Sequence, residues 1–132
     1  MDNAAIIAAR APSCLRHFHP KSLNYPPQDN AAYKRNLDSM HSVFANFSLT
    51  VTDCVEDVAA RKISMWLEAR GDTAAGEYVN EYVWNMEFDE AGEKIVGWRE
   101  FVDVGMARDF FPRLMVEVRK RREEEAAAEG GA

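Results

Sequence analysis

The sequence is short of the features that mark most secreted, membrane and metal-binding proteins. Its 132 residues contain only two cysteines, Cys14 and Cys54, which are too few for a disulfide framework and do not form a zinc-binding motif. No apolar run approaches the roughly 18 residues of a membrane span, and the N-terminus lacks the basic and long apolar regions of a signal peptide. We therefore expect reduced thiols, a cytoplasmic setting, no membrane partner and no metal site.

Positive charge and nucleotide-binding motifs are also scarce. The chain has 16 lysines and arginines against 22 acidic residues, a net charge of −6, whereas nucleic acids bind to basic faces. It contains no GxGxxG, P-loop, GxSxG or HExxH motif. These absences disfavour nucleic acid as a partner and a redox or nucleotide cofactor. If the protein is an enzyme, proton transfer without a cofactor is the kind of chemistry that these absences leave open.

The residues that are present predict helices before and after a sheet. The segment "MDNAAIIAAR" resembles the end of a helix without an upstream cap, and we expect the earlier part of that helix to be missing or truncated. Four prolines within residues 11–28 predict a long connecting loop. A second helix is predicted from an N-cap at Asp29. Its apolar stripe consists of Tyr33, Leu37, Met40, Phe44 and Phe47.

From residue 47 the hydrophobic period changes to two, which is typical of strands. The segments "SLTVTDCV", "RKISMWLEAR" and "EYVNEYVWNMEF" each alternate in this way, and "EKIVGWREFVDV" returns after a hairpin turn at "DEAG". Short turns between strands predict an antiparallel meander. Apolar residues on both faces of the later strands indicate that both faces are covered.

The C-terminal part predicts a last helix and a tail. Met106, Phe110, Leu114 and Val118 recur every four residues, and Pro112 must start or kink this helix. Residues 119–132 have no apolar face and predict a charged, solvated and frayed tail. The fold class is therefore α+β, with one domain over residues 1–118 and helices on one side of a curved sheet.

Four segments carry a family resemblance: "RAPSC" at 10–14, "PKSL" at 20–23, "GEYVNEYVW" at 76–84 and "REFVD" at 99–103. In this order they resemble the SnoaL-like branch of the nuclear-transport-factor-2-like superfamily. More narrowly, they resemble small isomerases and cyclases of fungal meroterpenoid and indole-alkaloid pathways. The resemblance implies a cone-shaped α+β barrel around a deep apolar cavity and a homodimer packed through the outer sheet face. Relatives have a longer first helix, and a histidine at the position of Arg16.

The resemblance also implies a function. We expect a cofactor-independent isomerase or cyclase of fungal secondary metabolism, which rearranges or closes a ring in a hydrophobic polycyclic terpenoid, polyketide or alkaloid intermediate by acid/base catalysis. The alternative is a non-catalytic module on the same fold that binds a small ligand or dimerises.

Two acidic residues, Glu100 and Asp103, end the last aromatic strand. Three positions apart on a regular strand, they point to opposite faces, and they share a pocket only if the strand bulges or ends between them. The residues alone favour Glu100 at the surface or interface and Asp103 as the cap of the final helix. The resemblance implies instead that at least one is the acid/base group, because a carboxyl group in an apolar cavity can hold a proton near neutral pH.

Other site residues follow from the same comparison. Arg10 is either a surface arginine at a helix end, or a guanidinium at the cavity mouth that pairs with a carboxylate or stabilises an enolate. Tyr78 and Tyr82 share a strand face with Asn80 and Trp84, and such a stripe by default packs in a core, but in a cone fold the same face lines the cavity. On that second reading Tyr78 is predicted to share a proton with Glu100. The residues predicted to bind substrate are Tyr82, Trp84, Asn80, Trp66, His17 and His19. Trp66 is alternatively a dimer contact, and the two histidines lack a convincing third ligand for a metal.

Overall fold

The computed structural model describes residues 2–130 and shows a mixed α+β fold with a curved, unclosed five-stranded sheet. The strand order is β1-β5-β4-β3-β2, in which β1 is parallel to β5 and all other neighbours are antiparallel. The helices are α1 (Asn3–Ala8), α2 (Asn30–His41), α3 (Val104–Asp109) and α4 (Phe111–Gly130). The strands are β1 (Arg10–His19), β2 (Phe44–Asp57), β3 (Lys62–Thr73), β4 (Gly76–Phe88) and β5 (Ile95–Val102).

Strand β1 occupies the first part of the segment that was predicted as a loop, so that prediction was wrong for residues 11–19. Pro12 lies between Arg10 and Leu15, where the pairing of β1 with β5 shifts register. β1 is also an edge strand, and proline is tolerated at edges and irregular positions because it removes no ladder hydrogen bond there. The pairing with β5 is therefore compatible with a proline-containing sequence.

The N-terminal ends of the first two helices are capped by aspartates. Asp29 accepts a hydrogen bond from the backbone N–H of Ala32 at 2.8 Å, which confirms the predicted cap of α2. Asp2 accepts from the backbone N–H of Ala5 at 3.0 Å, so the expectation of an uncapped α1 was wrong.

Helix α2 is shorter than its predicted stripe. It ends at His41, and its buried residues are Tyr33 and Leu37. Phe44 and Phe47 belong to β2 instead, where both rings pack close to Gly71. The strand therefore takes over two positions that the helical period assigned to α2.

The final helices confirm the predicted four-residue repeat. Phe110, Leu114 and Val118 are buried in a core cluster with Val43, Ala69 and Tyr78. Pro112 is the second residue of α4, a position in the first helical turn where the missing N–H costs nothing.

The charged segment after residue 118 continues α4. Residues 119–130 are helical and exposed, so the predicted exposure of this charged segment to solvent is confirmed and only its frayed conformation was wrong. Residues 131–132 lie outside the described part of the chain. The limits of the predicted domain stay a prediction. Within residues 2–130, no helix is both long and apolar enough to cross a membrane.

The register of the sheet defines two faces. Glu100 pairs with Trp84 and Trp84 with Met65, and side chains of directly paired residues point to the same side. We call the side of Glu100, which carries the core clusters, the inner face. The neighbouring row runs through Trp66, Val83, Phe101 and His19 and belongs to the outer face. The predicted site residues are thus divided between two surfaces.

Candidate functional site

Glu100 lies on the inner face with only 2% of its surface exposed. Its Oε1 accepts a hydrogen bond from Nη2 of Arg16 at 2.6 Å and another from Nε1 of Trp84 at 2.8 Å. Both donors contact the same oxygen, and the hydrogen bonds among the described residues leave Oε2 without a partner. Glu100 therefore has one oxygen held by two donors and one oxygen without a hydrogen-bond partner among these residues.

Three strands bring these side chains together. On β5, Trp98, Glu100 and Val102 are buried while Arg99 and Phe101 between them are exposed. The register places Glu100 between Trp84 of β4 and Phe18 of β1, and it pairs Arg16 with Trp98. The partners of Glu100 thus come from the strands on both sides of β5.

Arg16 is the functional residue that the sequence analysis missed. Its guanidinium carbon lies 4.5 Å from the centre of the Trp98 ring and 4.7 Å from that of Phe18. Burial lowers the pKa of Arg16, but the charge and hydrogen bond of Glu100 together with the nearby Tyr33 and Tyr82 outweigh burial, so the pKa lies above its ordinary value and the side chain remains charged. The available signal was alternation, because Arg16 lies two positions after the buried Cys14.

Arg10 is buried, with 4% of its surface exposed, so the reading as a surface arginine was wrong. The carboxylate pairing expected of Arg10 is made by Arg16, because β1 places Arg16 beside Trp98 and Glu100. Nη2 of Arg10 donates to the backbone oxygens of Cys14 at 3.4 Å and Gln28 at 3.3 Å.

Two phenols on β4 form a hydrogen-bonded chain. The hydroxyl groups of Tyr78 and Tyr82 are hydrogen-bonded to each other, and Nδ2 of Asn80 donates to the Tyr78 oxygen at 2.8 Å. Oδ1 of Asn80 accepts from the backbone N–H of Glu81 at 2.8 Å, which fixes the orientation of the amide. Tyr78 therefore bonds to Tyr82 and Asn80, and the direct contact expected with Glu100 is replaced by these two bonds. Tyr82 is the half-buried member of the pair and Tyr78 the buried one.

Both phenols are expected to make stability decrease at alkaline pH. Burial, with smaller contributions from Tyr78 and Glu100, raises the pKa of Tyr82 well above its ordinary value, and burial also raises that of Tyr78. The raised folded-state pKa means that the unfolded tyrosines lose protons first, so this stability is complete below about pH 10 and is lost as pH rises further. In Tyr82→Phe the loss between pH 9 and pH 11 should be smaller than in the wild type.

Urea unfolding across this pH range measures the difference. The phenylalanine variant is expected to be less stable by about 1 kcal/mol near pH 8, because one hydrogen bond is lost. Tyr25→Phe, which removes an exposed phenol, is the control. An alkaline loss in Tyr82→Phe as large as in the wild type would contradict the assignment.

Asp103 lies outside this cluster. Strand β5 ends at Val102, and the exposed Asp103 caps α3 by accepting from the backbone N–H groups of Gly105 at 2.9 Å and Met106 at 3.4 Å. The reading of Asp103 as a helix cap is confirmed, and its catalytic role stays a prediction. The strand ends between the two acidic residues without bringing them into one site.

Three predicted substrate-binding residues lie on the outer face. Trp66 and His17 are exposed, His19 is half-buried, and the register places all three opposite to Glu100. The structure does not bring them together with the inner cluster. Two depressions of about 230 and 280 Å³ share this face, and both are lined in part by Asn85 and Arg99. Among residues 2–130, no group of three or more histidine, cysteine or acidic side chains could hold a metal ion.

The chain is similar to proteins of fungal biosynthetic clusters. It is 35% identical over 95 residues to core atranone cluster protein 11 of Stachybotrys chlorohalonatus, which covers 72% of this chain and 71% of the relative. It is 30% identical over 107 residues to austinoid biosynthesis clusters protein H of Penicillium brasilianum, covering 78% and 73%. It is also 26% identical to the monooxygenase AacuP of Aspergillus aculeatus, covering 89% and 81%. No family profile matches the chain.

Solved structures are also similar to the chain, and they include a fungal protein. The pinacolase BvnE of Penicillium brevicompactum superposes with a TM-score of 0.81 at 26% identity, covering 86% of this chain and 80% of that one. A SnoaL-like polyketide cyclase of Shewanella denitrificans, at 8% identity and a TM-score of 0.68 over 84% and 85%, shares the fold alone. The chain has the SnoaL-like fold of the nuclear-transport-factor-2-like superfamily, and it belongs to the family of fungal biosynthetic-cluster proteins that includes core atranone cluster protein 11 and austinoid biosynthesis clusters protein H.

Proposed function

We propose that the protein is a cofactor-free isomerase or cyclase that acts on a polycyclic terpenoid, polyketide or alkaloid intermediate by acid/base catalysis. The observation that carries the proposal is Glu100, a buried carboxylate with one oxygen fixed and the other free. A buried, oriented carboxyl group on the same sheet face as two phenolic donors is suited to general acid/base catalysis. The cluster names of the relatives and the pinacolase name of BvnE support a biosynthetic rearrangement.

In the proposed mechanism, Oε2 of Glu100 removes a proton from the substrate while Arg16 and Trp84 keep the carboxylate in place. Tyr82, the half-buried phenol, donates its proton to a carbonyl or departing oxygen of the substrate. Tyr78 then passes its own proton to Tyr82, and Asn80 stabilises the charge left on the Tyr78 oxygen. The raised pKa values of both phenols keep them protonated at neutral pH, so both carry a proton that they can donate when the reaction begins.

Turnover by purified variants tests this mechanism. Deleting the gene identifies the substrate as the compound that accumulates, and purified protein should convert that compound. Glu100→Gln is expected to lower kcat by about 100-fold or more, because a general base typically contributes this much. Tyr82→Phe is expected to lower kcat by a smaller factor, since water can replace one donor.

The matched control for Glu100→Gln is Glu81→Gln. Glu81 is an exposed residue of the neighbouring strand β4, and the same chemical change there should leave turnover intact. Wild-type turnover by the Glu100 variant would remove the proposed base, whereas absence of turnover by the wild-type protein would favour the ligand-binding module.

We also propose that the protein forms a homodimer through its outer sheet face. Trp66 and Phe101 are each 52% exposed there, and the half-buried Val83 lies between them in the same row of paired residues. Neighbouring exposed apolar side chains are typical of protein interfaces. Phe101→Glu should convert the dimer to a monomer in size-exclusion chromatography with light scattering, whereas Val116→Glu on α4 should not. A monomeric wild type would contradict this proposal.

A further inference from the structure

The buried charges near Glu100 do not balance. Among the buried residues that the structure describes, Arg10, Arg16 and Glu100 are the charged ones, which gives two guanidinium groups and one carboxylate. Arg16 is neutralised by Glu100 at 2.6 Å. Arg10 makes its described side-chain hydrogen bonds to two backbone oxygens, both at 3.3 Å or longer. One positive charge in the inner cluster therefore lacks an anion, and a buried unpaired charge is strongly unfavourable.

Both guanidinium groups lie against the same two aromatic rings. The Cζ of Arg10 is 4.7 Å from the ring centre of Tyr33 and 5.6 Å from that of Trp98. The Cζ of Arg16 is 4.8 Å from Tyr33 and 4.5 Å from Trp98. Their charges thus meet at one location beside Trp98 instead of being distributed over the fold.

Unused hydrogen-bond donors gather at the same location. Nε and Nη1 of Arg10, Nε of Arg16 and Nε1 of Trp98 are buried and have no hydrogen-bond partner among residues 2–130. Buried donors are paired in the large majority of native structures, and those that are not require an explanation. Four unpaired donors beside Trp98 make this location suited to an acceptor that a ligand supplies.

We propose that Arg10, with Trp98, binds a delocalised oxyanion of the ligand, either a carboxylate or the enolate of a 1,3-dicarbonyl. Both present two oxygens in one plane to a planar guanidinium, which is the geometry that arginine recognises best. The inference rests on the proposed function only in placing the ligand on the inner face. It defines the substrate as an acidic molecule held beside the base Glu100.

Binding of simple anions tests the site without the natural substrate. Benzoate and 1,3-cyclohexanedione, which is largely an enolate at neutral pH, are titrated into the full chain and followed by isothermal titration calorimetry and tryptophan fluorescence. Both are expected to bind saturably, and benzamide, the neutral analogue of benzoate, should bind about tenfold more weakly or worse. The tighter of the two anions indicates which kind of oxyanion the substrate carries.

Variants locate the binding. Arg10→Gln should lower the affinity for both anions by about tenfold or more, whereas Arg108→Gln, which removes the same charge from an exposed position, should not. Arg10→Lys keeps the positive charge but lacks the planar guanidinium group, so it should retain part of the affinity. This variant replaces Arg10→Gln in the measurement if the glutamine variant fails to fold. Glu100→Gln should bind benzoate at least as tightly as the wild type, so loss of turnover and loss of anion binding are measured separately. Failure of both anions to bind, benzamide binding as tight as benzoate, or unchanged affinity in both Arg10 variants would overturn the proposal.

Discussion

Arg16→Met is expected to lower the free energy of unfolding by about 3–5 kcal/mol at pH 7, because it leaves Glu100 buried without its ion-pair partner. Methionine preserves much of the packing against Phe18 and Trp98, so the change isolates the charge. The ion pair is short, at 2.6 Å, and both side chains are nearly inaccessible. Urea unfolding with a fitted slope gives the free energy directly.

The double variant Arg16→Met/Glu100→Gln separates charge from packing. It removes both ionised groups, so we expect it to be more stable than Arg16→Met alone. The exposed pair Arg70–Glu77, at 3.2 Å, is the comparison: Arg70→Met should cost no more than about 1 kcal/mol. Equal losses for the buried and the exposed arginine would show that the inner cluster is not desolvated.

Leu114→Ala is expected to cost about 2–5 kcal/mol, the range for a leucine removed from a packed core. Leu114 is fully buried on α4, in the cluster that holds Tyr78 and Phe110, and its truncation leaves a cavity there. Val116→Ala, at a position on α4 with 51% exposure, should change stability by less than about 0.5 kcal/mol. Urea unfolding of the two variants measures the difference in the free energy of unfolding. Similar losses of stability in both variants would contradict the burial of Leu114 in the core cluster.

Most elements of the fold were predictable because their periods are strong. The alternation in residues 76–88 matches β4. The four-residue repeat from Met106 to Val118 matches the final helices. The failures came from competing signals. Prolines favoured a loop over β1, because a single sequence does not reveal that this segment pairs at the edge of the sheet. Phe44 and Phe47 satisfied a helical spacing that pairing with β3 overrides.

The candidate site was predicted in part. Glu100, Trp84 and Tyr82 do meet on one face, as the strand period indicates. The sequence could not supply Arg16 as their partner, because the contact spans 84 residues and depends on the parallel register of β1. It also could not exclude Trp66 from the inner face, since a tryptophan between polar neighbours fits a pocket wall and an exposed interface equally well.

The location of β1 at the edge of the sheet affects how the ligand preference of this protein could be changed. Both guanidinium groups belong to a single ten-residue segment that contacts only one other strand of the sheet. Exchanging that segment would change the charge offered to a ligand from two cations to one or none, while the hairpin carrying the base stays as it is. Grafting alternative versions of residues 10–19 that keep the Arg16–Glu100 ion pair and the buried Cys14 is therefore a direct route to new ligand preferences.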